Sequence, residues 1–178
     1  SMGVHVIGFS DPGIDDLTNT AAGTSAIVVS AGPSLARTID ELKTTGLRNR
    51  CVIVAVQTVL KQLLAEGIRP HYVTALDYHE ISRRFYEGLT AQDVEGVTLI
   101  AEPKAHRAIL DAFPGDVRLC SSPRLDSLLD PGLRRDIGNL KAGATVAHMA
   151  YYFARHLGCD PVVLVGQDLG FTDGQYYA

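Results

Sequence analysis

Polar side chains recur along this chain directly after short apolar runs. Residues 26–30 lead into Ser30-Ala31-Gly32-Pro33-Ser34, residues 51–56 into Gln57-Thr58, and residues 72–76 into Asp77. Residues 97–101 lead into Glu102-Pro103-Lys104, and residues 161–165 into Gly166-Gln167-Asp168. Hydroxyls, amides, carboxylates and a lysine are the groups that bind phosphates and ribose, hold a cation on a polyphosphate, or move a proton. In the first cluster, Gly32 lets the backbone approach a ligand, and the helix that follows offers free N–H groups and a positive dipole end. That arrangement suits a phosphate. The cluster has one glycine where a dinucleotide fingerprint has three, and it lacks the Gly-Lys-Ser/Thr ending of a Walker loop. By spacing alone it is a phosphate loop or a plain tight turn.

The other candidates divide in the same way. Asp77 can bind a ribose hydroxyl, hold Mg²⁺ through water, act as a base, or cap the helix that begins near His79. Asp168, with Asp173 nearby, has a similar choice, but no carboxylate spacing here specifies a metal site. Lys141-Ala142-Gly143-Ala144-Thr145 opens a helix with small residues, giving either a second place for close approach to an anion or tight packing on a sheet. His148, Tyr152 and His156 fall at i, i+4 and i+8, as a site-lining stripe or a half-buried structural face. Arg83-Arg84 and Arg134-Arg135 are solvated pairs unless their segments fold over a ligand.

The elements that position these groups follow from apolar periodicity. A β-branched run at 26–30 predicts a strand covered on both faces, and 51–56, 72–76, 97–101, 117–120 and 161–165 read as further strands. Between them, 35–46, 59–66, 79–87, 104–112 and 145–157 predict helices, with Ser34 placed as an N-cap and Gly67 and Gly158 as stops. Residues 121–140, broken by Pro123, Pro131, Gly132 and Gly138, read as a mobile, lid-like excursion. Strand–helix alternation predicts a Rossmann-like α/β sandwich of three layers, with a mostly parallel sheet and right-handed crossovers. In such sheets ligands bind beyond the carboxyl ends of the strands, where the polar clusters stand.

Bulk properties narrow the class. The chain has 178 residues, 46% hydrophobic and 20% charged, which is the composition of a globular domain with a substantial core. Its net charge of −4 gives no footprint for nucleic acid or an anionic membrane. No apolar run approaches the roughly 20 residues a membrane helix needs. Cys51, Cys120 and Cys159 are scattered and odd in number, as buried thiols of a reducing compartment are, so a cytoplasmic location is expected. Ser1-Met2 resembles a tag remnant, and residues 1–25 read as an irregular lead-in to a domain over 26–178. The ending at Gly174-Gln175-Tyr176-Tyr177-Ala178, just past a strand, reads as that of an excised piece of a longer protein.

Three stretches carry a family resemblance over about residues 26–178. They are Ala31-Gly32-Pro33-Ser34-Leu35, Gly67-Ile68-Arg69-Pro70 leading to Leu76-Asp77, and Gly158-Cys159-Asp160-Pro161 leading to Gly166-Gln167-Asp168-Leu169. With Gly143-Ala144-Thr145-Val146-Ala147-His148, they resemble the motility-associated factor (Maf) glycosyltransferases. Those belong to the same broad domain family as the 6-hydroxymethylpterin pyrophosphokinases. The resemblance implies a sialyltransferase-like fold and transfer of a nonulosonic, sialic-acid-like sugar from a CMP donor to flagellin or another protein Ser or Thr. It implies that Gly32, Pro33 and Ser34 lie against the donor phosphate, and Gln57, Thr58 and Asp77 near the nucleoside. Gly143, Thr145 and Gln167 would line the rest with Asp168, and Glu102 stands at the same edge. Asp168 is the first candidate for the base and His148 the second, with Asp77 a further candidate. The pyrophosphokinase branch implies instead that Asp77 and Asp168 hold Mg²⁺ on ATP. A third reading is a nucleotide-binding or scaffold domain without turnover.

Overall fold

The computed structural model describes residues 13–75, 80–102, 107–120 and 142–167. The apolar runs form strands β1 (Ser25–Val29), β2 (Cys51–Val56), β3 (Tyr72–Ala75), β4 (Thr98–Ala101), β5 (Asp116–Leu119) and β6 (Val162–Val165). Helices α1 (Leu35–Leu42), α2 (Leu47–Arg50), α3 (Leu60–Ala65), α4 (Arg107–Ala112) and α5 (Ala142–His156) join them. Short 3-10 segments lie at Asp15–Leu17, Gln57–Val59 and Glu80–Phe85. All pairings between strands are parallel, and the six-stranded sheet runs in the order β5-β4-β3-β2-β1-β6.

The chain therefore steps across the sheet in one direction from β1 to β5, then returns to place β6 on the far side of β1. With right-handed crossovers, that reversal puts α5 on the face opposite α1 and α3, which makes three layers. Every residue of β2 is buried, as a strand with neighbours on both sides and helices on both faces must be. α1 turns Leu35, Ile39 and Leu42 to the sheet. Cys51, Cys120 and Cys159 are buried free thiols, and burial pushes the Cys51 and Cys159 thiols above the usual range.

α5 is the principal cover of the other face and packs over β1, β2 and β3. Ala147, Ala150 and Ala154 are buried with Met149, Phe153 and Leu157, so the helix sits close to the strands. The Phe153 ring meets Tyr72 of β3 edge-on, with centroids 4.8 Å apart and planes at 70°. The helix ends on Gly158 at φ 86°, with Cys159 N–H donating to the Ala154 carbonyl and Gly158 N–H to that of Arg155.

Two expectations change. Helices were expected on both faces of the sheet, but β6, which among the described residues pairs with β1 alone, leaves Val163 and Leu164 49% and 48% exposed. A continuous apolar run has the same appearance in a central strand and in an edge strand. From Gly13 on, the irregular lead-in is docked against the domain. Ile14 is buried, and Arg118 on β5 donates to the Gly13 carbonyl at 3.0 Å and to the Asp16 carboxylate at 2.6 Å. The segment expected as a helix at 79–87 is described from Glu80 as a 3-10 run to Phe85. A turn this short gains little from helical cooperativity, and it ends where Tyr86 enters the core. Residues 121–140, including Arg134 and Arg135, lie outside the described residues.

The amino ends of the strands are closed by arginines and a histidine. Arg48 Nε donates to the Arg69 carbonyl at 3.1 Å and its Nη2 to that of Gly96 at 2.9 Å; Arg69 Nη1 reaches the Glu95 carbonyl at 3.0 Å. His71 extends the ladder between β2 and β3, since its N–H donates to the Ile53 carbonyl at 2.9 Å and its Nδ1 accepts the Ile53 N–H at 3.0 Å. Burial, aided by the nearby Arg48 guanidinium, lowers the His71 pKa to about 4. An imidazole held below its unfolded value binds its proton in the unfolded chain first. Its contribution to stability is therefore complete above about pH 6.5 and is lost as pH falls toward 4. We expect His71 to stay neutral at pH 5.5 in an NMR titration of the ring carbons. We also expect His71→Gln to flatten the decline of stability between pH 6.5 and 4; a His71 resonance titrating near 6.5 would refute this account.

Candidate functional site

The reversal of strand order sits between β1 and β6, so their carboxyl ends frame the crevice where ligands bind in open parallel sheets. Backbone contacts make its floor. Ser30 N–H donates to the Val165 carbonyl at 2.8 Å, continuing the β1–β6 ladder by one residue. Gly32 N–H then donates to the Gly166 carbonyl at 2.6 Å, and Leu35 N–H closes the turn onto the Gly32 carbonyl at 3.0 Å. Gly166 has φ 73°, and a Cβ there would lie 2.1 Å from the Ser30 carbonyl oxygen. No side chain fits, so the glycine sets how closely the two strand ends approach.

Gly32 is buried and its N–H is spent on Gly166, so its part in the crevice is to pin the turn and not to donate to a ligand. Pro33 and Ser34 are half-buried beside it. Ser34 holds the N-cap position of α1 with helical dihedrals (φ −66°, ψ −18°) and no capping bond from its side chain. On the other wall, the half-buried Gln167 follows Gly166.

The remaining candidates line the same edge of the sheet at different distances from this crevice. Gln57, beyond β2, is buried, and its Oε1 accepts the Tyr86 hydroxyl at 2.7 Å. Tyr86 in turn meets Phe113 edge-on at 5.5 Å. Gln57 therefore anchors the segment after β3, while Thr58 beside it is exposed. Tyr86 was not among the sequence candidates; a lone tyrosine after a short polar helix carries no signal of this role. Glu102 ends β4 and is 4% exposed, with its N–H on the Ala75 carbonyl at 3.3 Å. Asp77 and Asp168 lie outside the described residues.

α5 brings its first turn to this edge. The residues entering β1 bond its other end, with Asn19 N–H on the His156 carbonyl and Ala21 N–H on that of Leu157, so the helix runs antiparallel to the strands. Gly143 and Thr145 thus lie in the turn at the carboxyl edge, and His148 is exposed one turn further on. The proposed stripe of His148, Tyr152 and His156 is divided by function. His156 sits at the amino edge, where its Nε2 lies 2.7 Å from the Ile14 carbonyl and 3.3 Å from Thr18 Oγ1. A carbonyl only accepts, so Nε2 carries the proton and His156 is a tie for the lead-in.

The arginine pair beyond β3 is surface chemistry. Arg83 meets Glu87 at 3.4 Å and Arg84 lies over Phe85, 5.3 Å from its centroid. A hollow of about 140 Å³ lined by Leu64, Gly67, Ile68, Arg69 and Asp93 opens on the connections into β3 and β4. It is at the amino edge, away from every polar strand end, so the topology and not the hollow marks the site. Among the described residues, no helix is long and apolar enough to cross a membrane.

Comparison with known proteins agrees with this fold. Residues 7–174 match the family described as 6-hydroxymethylpterin diphosphokinase MptE-like. The fold is similar to that of a Maf glycosyltransferase from Magnetospirillum magneticum AMB-1, with a TM-score of 0.60 and 22% sequence identity. That likeness covers 88% of this chain and 25% of the other, so this chain spans about a quarter of that protein's length. No curated protein matches.

Gly166→Ala is expected to force the β1 and β6 ends apart. Its left-handed φ and the 2.1 Å approach to Ser30 together should cost at least ~2 kcal/mol in urea denaturation. Gly46→Ala, also at positive φ but with nothing within 4 Å, should cost less than that. Equal losses at the two positions would show that the close approach is not the constraint.

Proposed function

The chain belongs to the 6-hydroxymethylpterin diphosphokinase MptE-like family, and from that premise we propose that it is a nucleotide-sugar-dependent glycosyltransferase. Its donor in this reading is a CMP-linked sialic-acid-like sugar, and its acceptor a Ser or Thr hydroxyl of a flagellin-like protein, with transfer in the cytoplasm. One observation carries the reading: the β1/β6 reversal gathers the Ser30–Ser34 turn, Gln167 and the first turn of α5 around a single crevice. A nucleotide phosphate is the ligand that such a crevice suits. The fold likeness to a glycosyltransferase supports the choice of a sugar over a bare phosphoryl group.

In the reaction, the acceptor oxygen attacks the anomeric carbon of the donor. The bond from that carbon to the phosphate oxygen breaks, and CMP leaves with the electron pair. The acceptor proton passes to a general base, for which we nominate Asp168, or His148 in its absence. Ser34 and the α5 amides donate to the departing phosphate, with Pro33 lying against it, while Gln57, Thr58, Glu102 and Asp77 shape the nucleoside side of the pocket. Gly143 and Thr145 belong to the phosphate side through the first turn of α5. The family description itself favours a second reading, in which ATP carries Mg²⁺ on Asp77 and Asp168 and a pterin hydroxymethyl oxygen attacks the β-phosphorus.

Calorimetric titration with CMP and with ATP, each with and without Mg²⁺, separates the two. The glycosyltransferase predicts CMP binding that magnesium does not alter; magnesium-dependent ATP binding with no CMP binding would overturn it. Where transfer is measured, Asp168→Asn should lower kcat by roughly 10²–10⁴-fold. Unchanged turnover in that variant would remove Asp168 from the mechanism.

A further inference from the structure

Among the described residues, two buried side-chain hydroxyls have no hydrogen-bond partner: Ser30 Oγ and Thr74 Oγ1. Ser30 is 5% exposed and Thr74 fully buried. A hydroxyl taken out of water without a partner costs stability, so each needs a reason to be retained.

The two share a face of the sheet. Alternation along β1 puts Ala26, Val28 and Ser30 on one side. Register carries that side across the sheet, from Val28 to Val54 and from Val54 to Tyr72, whose ring meets Phe153 of α5. Ser30 therefore faces the α5 layer. It does so at the carboxyl edge, where the described helix Ala142–His156 has its amino end, the positive end of its dipole. Thr74 lies on the same face and in the same row, two strands away, but it is flanked by Val56 and Ile100, whereas Ser30 has Gly166 of the β6 end beside it. Their surroundings differ in the respect that matters. Thr74 is enclosed by apolar strand neighbours, whereas Ser30 stands one residue beyond β1, on the wall of the crevice that Gly166 closes.

We propose that Ser30 is a ligand-binding residue, whose hydroxyl donates to an anionic oxygen of a bound phosphate beside the first turn of α5. The proposal rests on the nucleotide reading of the crevice and assigns the partner that Ser30 Oγ lacks. Bound phosphate replaces the water that the hydroxyl gave up on folding, so the deficit is repaid only in the complex. Thr74, two strands from the β1/β6 junction and flanked by Val56 and Ile100, is an orphan hydroxyl that takes no part in binding and serves as the internal control.

The experiment compares wild type, Ser30→Ala and Thr74→Val in two measurements: thermal unfolding without ligand, and calorimetric titration with CMP, ATP–Mg²⁺ and inorganic phosphate. Both variants should unfold at or above the wild-type temperature, because each removes an unsatisfied group. Ser30→Ala should weaken whichever phosphate compound the wild type binds by about 5- to 30-fold, the loss of one hydrogen bond to a charged oxygen. Thr74→Val should bind as the wild type does. Wild-type affinity in Ser30→Ala, with the wild type itself binding, overturns the role of Ser30 and leaves the nucleotide site intact. Equal weakening in both variants, or a fall in unfolding temperature confined to Ser30→Ala, makes the hydroxyl structural and also overturns it. A wild type that binds none of the three compounds overturns this proposal together with the function on which it rests.

Discussion

The contact between the ends of β1 and β6 governs everything at the carboxyl edge. β6 joins the sheet after a connection that crosses four strands, and among the described residues β1 is its one neighbour. Its ladder to β1 runs through Ser30 N–H, and the Gly32–Gly166 bond locks the turn that starts α1. Because Gly166 adopts a left-handed φ against the Ser30 carbonyl, the separation of the two ends is set by backbone atoms and not by adjustable side chains. A rigid floor of this kind keeps the first turns of two helices, on opposite faces, in a constant relation to one cleft.

The two edges of the sheet contrast in how they treat polar groups. At the amino edge Arg48, Arg69, His71 and His156 all spend hydrogen bonds on backbone atoms, and each closes a connection onto a strand. Such chemistry-bearing residues are structural there, and the low His71 pKa reports burial rather than function. At the carboxyl edge the backbone is equally well paired, yet Ser30 keeps a buried hydroxyl in deficit.

Much of this was legible in the sequence, and the limits have physical causes. β2 was read with the bounds it has, because a run buried on both faces has no polar residue to blur its ends. Gly158 marked the end of α5 because no other residue type accepts φ 86° at little cost. Gly32 was read as a loop open to a ligand, but spacing does not say that Gly166, more than a hundred residues away, takes its N–H. His156 looked like part of a stripe with His148, since i and i+8 share a helix face. Yet His156 ends the helix at the amino edge of the sheet, whereas His148 stands near its middle, about 12 Å away along the axis. The edge position of β6 and the docking of Ile14 depend on strand order, which no local pattern encodes.

The two reactions suggested by the family description and by the fold likeness differ less at this crevice than their names imply. In glycosyl transfer from a CMP-sugar, the bond that breaks releases CMP. In diphosphoryl transfer from ATP to a hydroxymethyl group, attack at the β-phosphorus releases AMP. Both leaving groups are nucleoside monophosphates, and in both the negative charge that grows in the transition state falls on the phosphate attached to the ribose. Donors held rigid at that phosphate lower either barrier, because they need no reorganisation when the bond breaks. A floor built from backbone, a helix N-terminus and a hydroxyl suits this shared demand and is indifferent to what the phosphate was attached to. The choice between the reactions therefore lies with the groups around the other half of the donor, and the β1/β6 crevice is the part that a single fold can pass from one chemistry to the other unchanged.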